Sequence, residues 1–216
     1  MYKHFVKRLG DLLMSGLAII ILGIPMLIVA LIVKIDSPGP ALFKQERVGL
    51  HKKNFMILKF RSMPTNIPKD LPTHQFNAQN QLSKWQRFIR KSSIDELPQL
   101  FNIFVGQMSF CGPRPALWNQ FDLVELRDQY GANDVKPGLT GWAQINGRDE
   151  LELDVKAKLD GDYAKALNAG WFRGFWMDLK CFFGTFLSVL RSEGVVEGGT
   201  GATAEVEEKE EEEVTK

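Results

Sequence analysis

The chain has 216 residues, 44% of them apolar and 25% charged, which is enough for one ordinary domain with a buried core. Its formal charge of +1 hides an asymmetry: residues 1–91 carry 15 Lys and Arg against 4 Asp and Glu, and residues 191–216 carry 3 against 9. A basic N-terminal half suits anionic headgroups and nucleotide phosphates. It is also compatible with nucleic acid, but no nucleic-acid-binding signature accompanies it, so no nucleic-acid partner is expected. Cys111 and Cys181 are too few for a disulfide framework, and with only His4, His51 and His74 no Cys/His zinc cluster is expected.

In chain order, residues 12–33 come first, almost wholly apolar and long enough to cross a bilayer as a helix. Lys3, Lys7 and Arg8 precede this run, and Lys34, Lys44, Arg47, Lys52 and Lys53 follow it, so both flanks carry the basic residues that mark the cytoplasmic side. Pro25 lies inside the run and removes a helical hydrogen bond, with Gly23 loosening the same place. A helix that enters the membrane, breaks at Ile24-Pro25 and returns to the same face satisfies both observations. A kinked single crossing is the other reading. A cleaved signal peptide is not expected, because the run is too long and lacks a cleavage site.

Ser37-Pro38-Gly39-Pro40 ends the apolar element as a turn. Residues 41–46 and 54–60 read as two strands joined at Val48-Gly49-Leu50-His51 as a β-hairpin. Residues 63–80, with Pro64, Pro68 and Pro72, read as loop. Leu82, Trp85, Phe88 and Ile89 recur at helical spacing with Lys84, Arg87 and Lys91 off that face, which makes an amphipathic basic helix for a membrane interface or for the core. Residues 97–105 and 116–129 are further helical candidates, and Pro137-Gly138-Leu139-Thr140-Gly141 is a turn cluster before Trp142. Residues 171–190 are dense in Trp and Phe, fitting either a headgroup-level helix or a buried one. The Gly- and Glu-rich tail has too little apolar content to fold.

The chemistry concentrates at Asp95-Glu96, two adjacent carboxylates between a basic stretch ending in Arg90-Lys91 and the apolar run that begins at Leu97. Taken alone, Ser93-Ile94-Asp95-Glu96 matches a capping box, a purely structural use of these acids. Lys59, Arg61, Arg90 and Arg114 change that balance, since carboxylates beside guanidinium and ammonium groups suit work on phosphates. Gly112-Pro113-Arg114-Pro115 is a stiff turn that displays Arg114 rigidly, as bidentate phosphate capture requires. No Walker A or GxGxxG sequence is present. A membrane-anchored module that binds acidic lipids without catalysis is the competing reading.

These motifs occur together in a fixed order: Lys7-Arg8 and Asp11 ahead of the apolar run, Phe43-Lys44-Gln45-Glu46-Arg47-Val48-Gly49, Lys59-Phe60-Arg61-Ser62-Met63, Asp95-Glu96-Leu97-Pro98-Gln99-Leu100, Met108 to Pro115, and Lys136 to Gln144. In this the chain resembles the bacterial sugar transferase family, the monotopic phosphoglycosyl transferases, in its minimal form and over nearly residues 1–190. The resemblance implies an α+β, mostly helical protein: a re-entrant membrane helix (1–36), a cytoplasmic catalytic domain with a β-hairpin and interfacial amphipathic helices (37–190), and a disordered acidic tail (191–216).

It also implies transfer of a sugar-1-phosphate from a UDP-sugar to undecaprenyl or another polyprenyl phosphate, with release of UMP, at the cytoplasmic face of the bacterial inner membrane. The resemblance implies a covalent phosphosugar intermediate on Asp95 and the first membrane step of glycoconjugate assembly, for capsule, exopolysaccharide, O-antigen or protein-linked glycan. By the same resemblance Asp95 is the nucleophile, and Asp95 and Glu96 hold Mg²⁺. Lys59, Arg61, Arg90, Pro113, Arg114, Gln144 and Arg148 bind substrate, with membrane phospholipids as surroundings. Relatives often carry Ser before the helix-breaking proline, where this chain has Ile24, leaving the carbonyls near Pro25 with one fewer partner. The sugar, the pathway and the oligomeric state, a homodimer included, stay open.

Overall fold

One long helix, α1 (Lys7–Asp36), follows a π-helical turn at Tyr2–Val6 and lies against the rest of the chain along its length. The computed structural model describes residues 2–63, 82–147 and 151–191. The loop expected from residue 64 onward, Arg148 and the acidic tail after Arg191 therefore fall outside the described residues. The backbone of α1 stays helical through Pro25, so the expected interruption does not occur. Proline forfeits one donor, whereas the flanking Leu22, Met26 and Val29 pack on Phe60 and Ile89, which holds both halves in one element.

Both ends of α1 are tied down. At its start Arg8 donates to the carbonyls of Ile103 and Phe104, each at 2.7 Å, and Lys7 pairs with Asp178 at 2.8 Å. Asp11 accepts from the Ser109 hydroxyl and the Phe110 amide, each at 3.0 Å. Midway, Ala18, Ile19 and Leu22 pack on Ile57, Leu100, Ile103 and Met108. At its end the buried Arg61 donates to the carbonyls of Val33, Ser37 and Pro38. The opposite face is bare: Leu13, Leu17, Ile20, Ile24, Leu27 and Leu31 are all exposed.

The expected hairpin forms as β1 (Leu42–Val48) and β2 (Asn54–Phe60), paired antiparallel from Leu42 opposite Phe60 to Val48 opposite Asn54. The turn takes His51 and Lys52 into positive φ, and β1 runs two residues beyond its expected end. Helix α2 (Lys84–Lys91) starts on a true capping box, Ser83 with Gln86, buries Ile89 and leaves Phe88 exposed. It thus serves the core with one side and solvent or lipid with the other.

Helix α3 (Gln99–Val105) starts two residues later than expected, after Pro98. Its buried Asn102 imitates a neighbouring strand, accepting from the Leu58 amide at 3.0 Å and donating to the Met56 carbonyl at 2.8 Å. That pairing fixes α3 against the hairpin.

The cluster expected to be only a turn at 137–141 contains a strand. Strand β3 (Ser109–Cys111) pairs in parallel with β4 (Gly138–Thr140). The two backbones approach so closely that a Cβ at Gly112 would lie 2.3 Å from the Lys136 carbonyl oxygen, and one at Gly138 would lie 2.2 Å from the Gly112 nitrogen. Only glycine fits either place.

The helix expected over 116–129 shrinks to α4 (Phe121–Gln129), because Leu117 forms a bridge to Arg47 at the end of β1 instead. A short α5 (Trp142–Ile145) leads to α6 (Leu153–Asn168), which the sequence reading did not anticipate. Its buried face is Ala157, Gly161, Ala164 and Leu167 with Tyr163, mostly small residues that give a weak apolar signal. Helix α7 (Trp171–Arg191) is the aromatic segment: Cys181 is buried, while Trp171, Phe172, Trp176 and Phe183 are exposed.

Candidate active site

The carboxylate pair sits where β2, α2 and α3 converge. Helix α2 ends at Ser92, Ser93 turns the chain with φ of 55°, and Ile94–Glu96 makes one 3-10 turn before α3. The capping-box reading of Ser93 and Glu96 is not met, because the Ser93 side chain makes no capping hydrogen bond and Glu96 points to cations. The structural use of these acids is thereby replaced by an electrostatic one.

Glu96 Oε1 accepts from Lys59 Nζ at 2.8 Å and from Arg114 Nη2 at 3.0 Å. Asp95, its chain neighbour, accepts only the Ser62 hydroxyl at 3.3 Å and joins no ion pair among the described residues. Both acids are nearly sealed from solvent, and the environment drives them apart. Burial would raise the Glu96 carboxyl, but Arg114 and Lys59 outweigh it and hold it below the usual carboxylate range. For Asp95 burial dominates and raises the carboxyl, with Glu96 adding to the rise and Lys59, Arg90 and Ser62 opposing it. The Lys59 ammonium is itself pushed down by burial, against the pull of Glu96.

Of the expected site residues, Lys59, Arg90 and Arg114 thus gather around the pair, and Pro113 is buried in the turn that carries Arg114. Arg61 goes elsewhere: it lies one residue past the end of β2, and its side chain bonds the carbonyls at the C-terminus of α1. Gln144 Nε2 donates to the Leu139 carbonyl at 3.1 Å beside the β3–β4 pair. Arg148 lies outside the described residues. Ile24 and Pro25 are exposed on the bare face of α1.

Three residues near the pair were not singled out from the sequence. Ser62 bonds Asp95, and Gln99 is buried four residues after Asp95 with its amide nitrogen unpartnered among the described residues. Arg47 is half-buried, and its guanidinium is lowered to about 10 by desolvation and by the nearby Arg114 cation. Each stands within a motif quoted above, and membership of those motifs was the only signal available. Around two acids there are then four cations, Lys59, Arg90, Arg114 and Arg47, an excess that suits a multiply charged anion.

Among the described residues no three or more His, Cys, Asp and Glu gather into a metal cluster. A magnesium ion needs less, because it binds through one or two carboxylates together with substrate phosphates and water. One oxygen on each of Asp95 and Glu96 accepts no hydrogen bond among the described residues, so the pair fits that requirement.

Two adjacent, largely buried acids in unequal states, ringed by cations, form a centre suited to holding a phosphate-bearing ligand. The family model described as bacterial sugar transferase matches residues 2–192, and the chain belongs to that family. It is 39% identical over 190 residues to the uncharacterized sugar transferase EpsL of Bacillus subtilis (strain 168), covering 88% of this chain and 90% of that protein. It is 41% identical over 189 residues to the undecaprenyl-phosphate glucose phosphotransferase of Komagataeibacter xylinus, covering 82% of this chain. To the UDP-glucose:undecaprenyl-phosphate glucose-1-phosphate transferase of Escherichia coli (strain K12) it is 35% identical over 188 residues, covering 84% of this chain. The aligned segments are 34% and 39% of those last two proteins.

Proposed function

We propose that this chain transfers a sugar-1-phosphate from a UDP-sugar to undecaprenyl phosphate at the cytoplasmic face of the bacterial inner membrane, releasing UMP. The observation that carries this reading is the unequal engagement of the two acids. One oxygen of Glu96 takes both Lys59 and Arg114 and orients those cations, while Asp95 is left outside the ion pairs as a nucleophile. The names of the relatives support the substrate classes.

In this mechanism a carboxylate oxygen of Asp95 attacks the β-phosphorus of the UDP-sugar. The bond from that phosphorus to the bridging oxygen breaks, and UMP leaves with the electron pair. Asp95 then carries the phosphosugar as an acyl phosphate. A phosphate oxygen of the polyprenyl acceptor attacks the same phosphorus, and the Asp95 carboxylate departs, giving the diphosphate-linked lipid. A carboxylate needs no general base for such an attack. Lys59, Arg90 and Arg114 reduce repulsion between the attacking anion and the pyrophosphate. Asp95 and Glu96 would hold Mg²⁺, which supplies further neutralisation of the phosphate charge when bound.

The attachment of α1 supports a monotopic placement. The domain engages this helix at Lys7–Arg8, again at Ala18–Leu22 and again at its C-terminal carbonyls. A crossing of about 30 Å of hydrocarbon would draw those polar contacts into lipid. With only its bare face offered to the bilayer, α1 lies at one surface, where a lipid phosphate meets the acid pair.

Incubation with a panel of UDP-sugars, undecaprenyl phosphate and Mg²⁺ tests the proposal. UMP release that Asp95→Asn abolishes is expected, and normal turnover by that variant would contradict it. Exchange of labelled UMP into the UDP-sugar without lipid acceptor separates the covalent route from direct transfer, because only the former permits it.

A further inference from the structure

The turn that carries Arg114 is held by four consecutive carbonyls, bonded from three parts of the chain: the end of β1, α4 and β4. The Pro113 carbonyl accepts the Gly138 amide at 2.9 Å, and the Ala116 carbonyl accepts the Val48 amide at 2.9 Å. Between them, the Arg114 carbonyl accepts Arg127 Nη2 at 3.0 Å, and the Pro115 carbonyl accepts Arg47 Nη1 at 3.0 Å. Two guanidiniums, that of Arg127 buried and that of Arg47 partly so, therefore hold the carbonyls of Arg114 and Pro115.

Each clamp is itself aimed by a second residue. Arg127, on α4, gives Nε and Nη2 to Asp160 Oδ2 of α6 at 2.9 and 2.5 Å, and both side chains are almost wholly buried. Arg47 gives Nε and Nη2 to Gln45 Oε1 at 3.0 and 2.6 Å. In both cases the fork of the guanidinium makes one attachment to an orienting group and one to the turn, which the single ammonium of lysine cannot reproduce in the same geometry. Burying the Arg127–Asp160 pair and drawing Arg47 partly out of water are poor ways to gain stability alone. Their product is a fixed backbone under the arginine that, among the described residues, bonds Glu96.

We infer that Arg47 and Arg127 are positioning residues for Arg114, holding its guanidinium in register with Glu96 and, on the function proposed above, with the donor phosphates. They touch no substrate; they act through the 113–116 backbone. Asp160 extends this support into the α4–α6 layer, remote in sequence from every motif that the family resemblance rests on.

The test is a double-mutant cycle on the full chain, with UMP release from a UDP-sugar as the readout. Arg127→Lys and Arg47→Lys, which keep the charge, should each lower kcat/KM by about 10- to 100-fold, the range expected of a small misplacement in a positioned site. In an Arg114→Ala background the same changes should cost less than about 3-fold, because the group they position is gone. Equal losses in both backgrounds would overturn the inference. Should one variant fail to fold, the other carries the cycle through its separate carbonyl.

A second readout needs no turnover. Hydrogen exchange of the peptide spanning 110–118 should quicken in either lysine variant while the β1–β2 hairpin keeps its protection, and unchanged exchange at 110–118 would overturn the clamp. A wild-type chain that releases no UMP from any donor would count against the proposed function, leaving the clamp to be judged by exchange.

Discussion

Lys59 and Glu96 form a largely buried ion pair at 2.8 Å that spans from the hairpin to the turn before α3, and Asp95 beside Glu96 joins no ion pair among the described residues. This pair makes the two neighbouring acids electrostatically unequal, as the proposed division of roles between them requires. It also gives the site two opposite linkages to pH, so stability and activity can be used to tell the residues apart.

Asp95 is raised by burial, so its ionisation is harder in the folded chain than in the unfolded one. A raised acid adds stability below its unfolded value, and that contribution is lost as pH rises through the folded one. Asp95→Asn should therefore raise the melting temperature at neutral pH, with the gain vanishing on acidification below the ordinary carboxylate range. The same variant should lose at least about 10³-fold in turnover, as removal of a nucleophile does. Thermal melts across pH, alongside UMP-release assays, check both halves.

Glu96 runs the other way. Although burial opposes it, Arg114 and Lys59 depress this carboxyl, so it contributes stability above its unfolded value and loses it as pH falls toward the folded one. Glu96→Gln should lower the melting temperature at neutral pH, and the deficit should shrink in acid. An equal deficit at every pH would show that packing, not charge, is what Glu96 supplies.

The acid limb of the rate profile should report Asp95. Since Arg90 opposes the rise that burial causes, Arg90→Gln should move that limb to higher pH as well as slow the reaction. A slower enzyme with an unmoved limb would place Arg90 outside the electrostatics of the nucleophile.

Asp178 joins the start of the chain to α7: it takes Tyr2 at 2.6 Å, Lys7 at 2.8 Å and Tyr163 at 2.7 Å. Asp178→Asn leaves Lys7 without its counter-charge, and a loss of about 3–5 kcal/mol is expected from breaking a buried pair on one side. Denaturant titration measures it.

The exposed aromatic face of α7 should govern lipid attachment together with α1. Replacing Trp171, Phe172 and Trp176 with Ala is expected to weaken sedimentation with vesicles of anionic phospholipid while leaving the melting temperature nearly unchanged, since none of the three is buried. A large fall in stability would assign that face to the protein interior.

Much of this was readable from residues alone, and the gaps have physical causes. The apolar run, the hairpin and the aromatic helix announce themselves through length and alternation, and Asp95-Glu96 through its basic surroundings. Helix α6 does not, because Ala157, Gly161 and Ala164 bury little surface and serve as spacers; a Cβ at Gly161 would lie 2.3 Å from the Tyr130 Cβ. Strands of three residues flanked by glycine, as at Gly138–Thr140, look like turns until a partner strand is known. Arg61 misled because a motif gives residue types and not the direction in which each side chain points. Asp160 and Arg127, 33 positions apart, share no local pattern at all.

The covalent step at Asp95 is the centre of the proposed mechanism. Quenching the enzyme with its UDP-sugar donor in the absence of lipid, followed by peptide mass analysis, measures it directly. The account predicts an added phosphosugar mass on the peptide containing Asp95, lost when undecaprenyl phosphate is supplied and absent from Asp95→Asn. An actively transferring enzyme whose Asp95 peptide never gains that mass would contradict it.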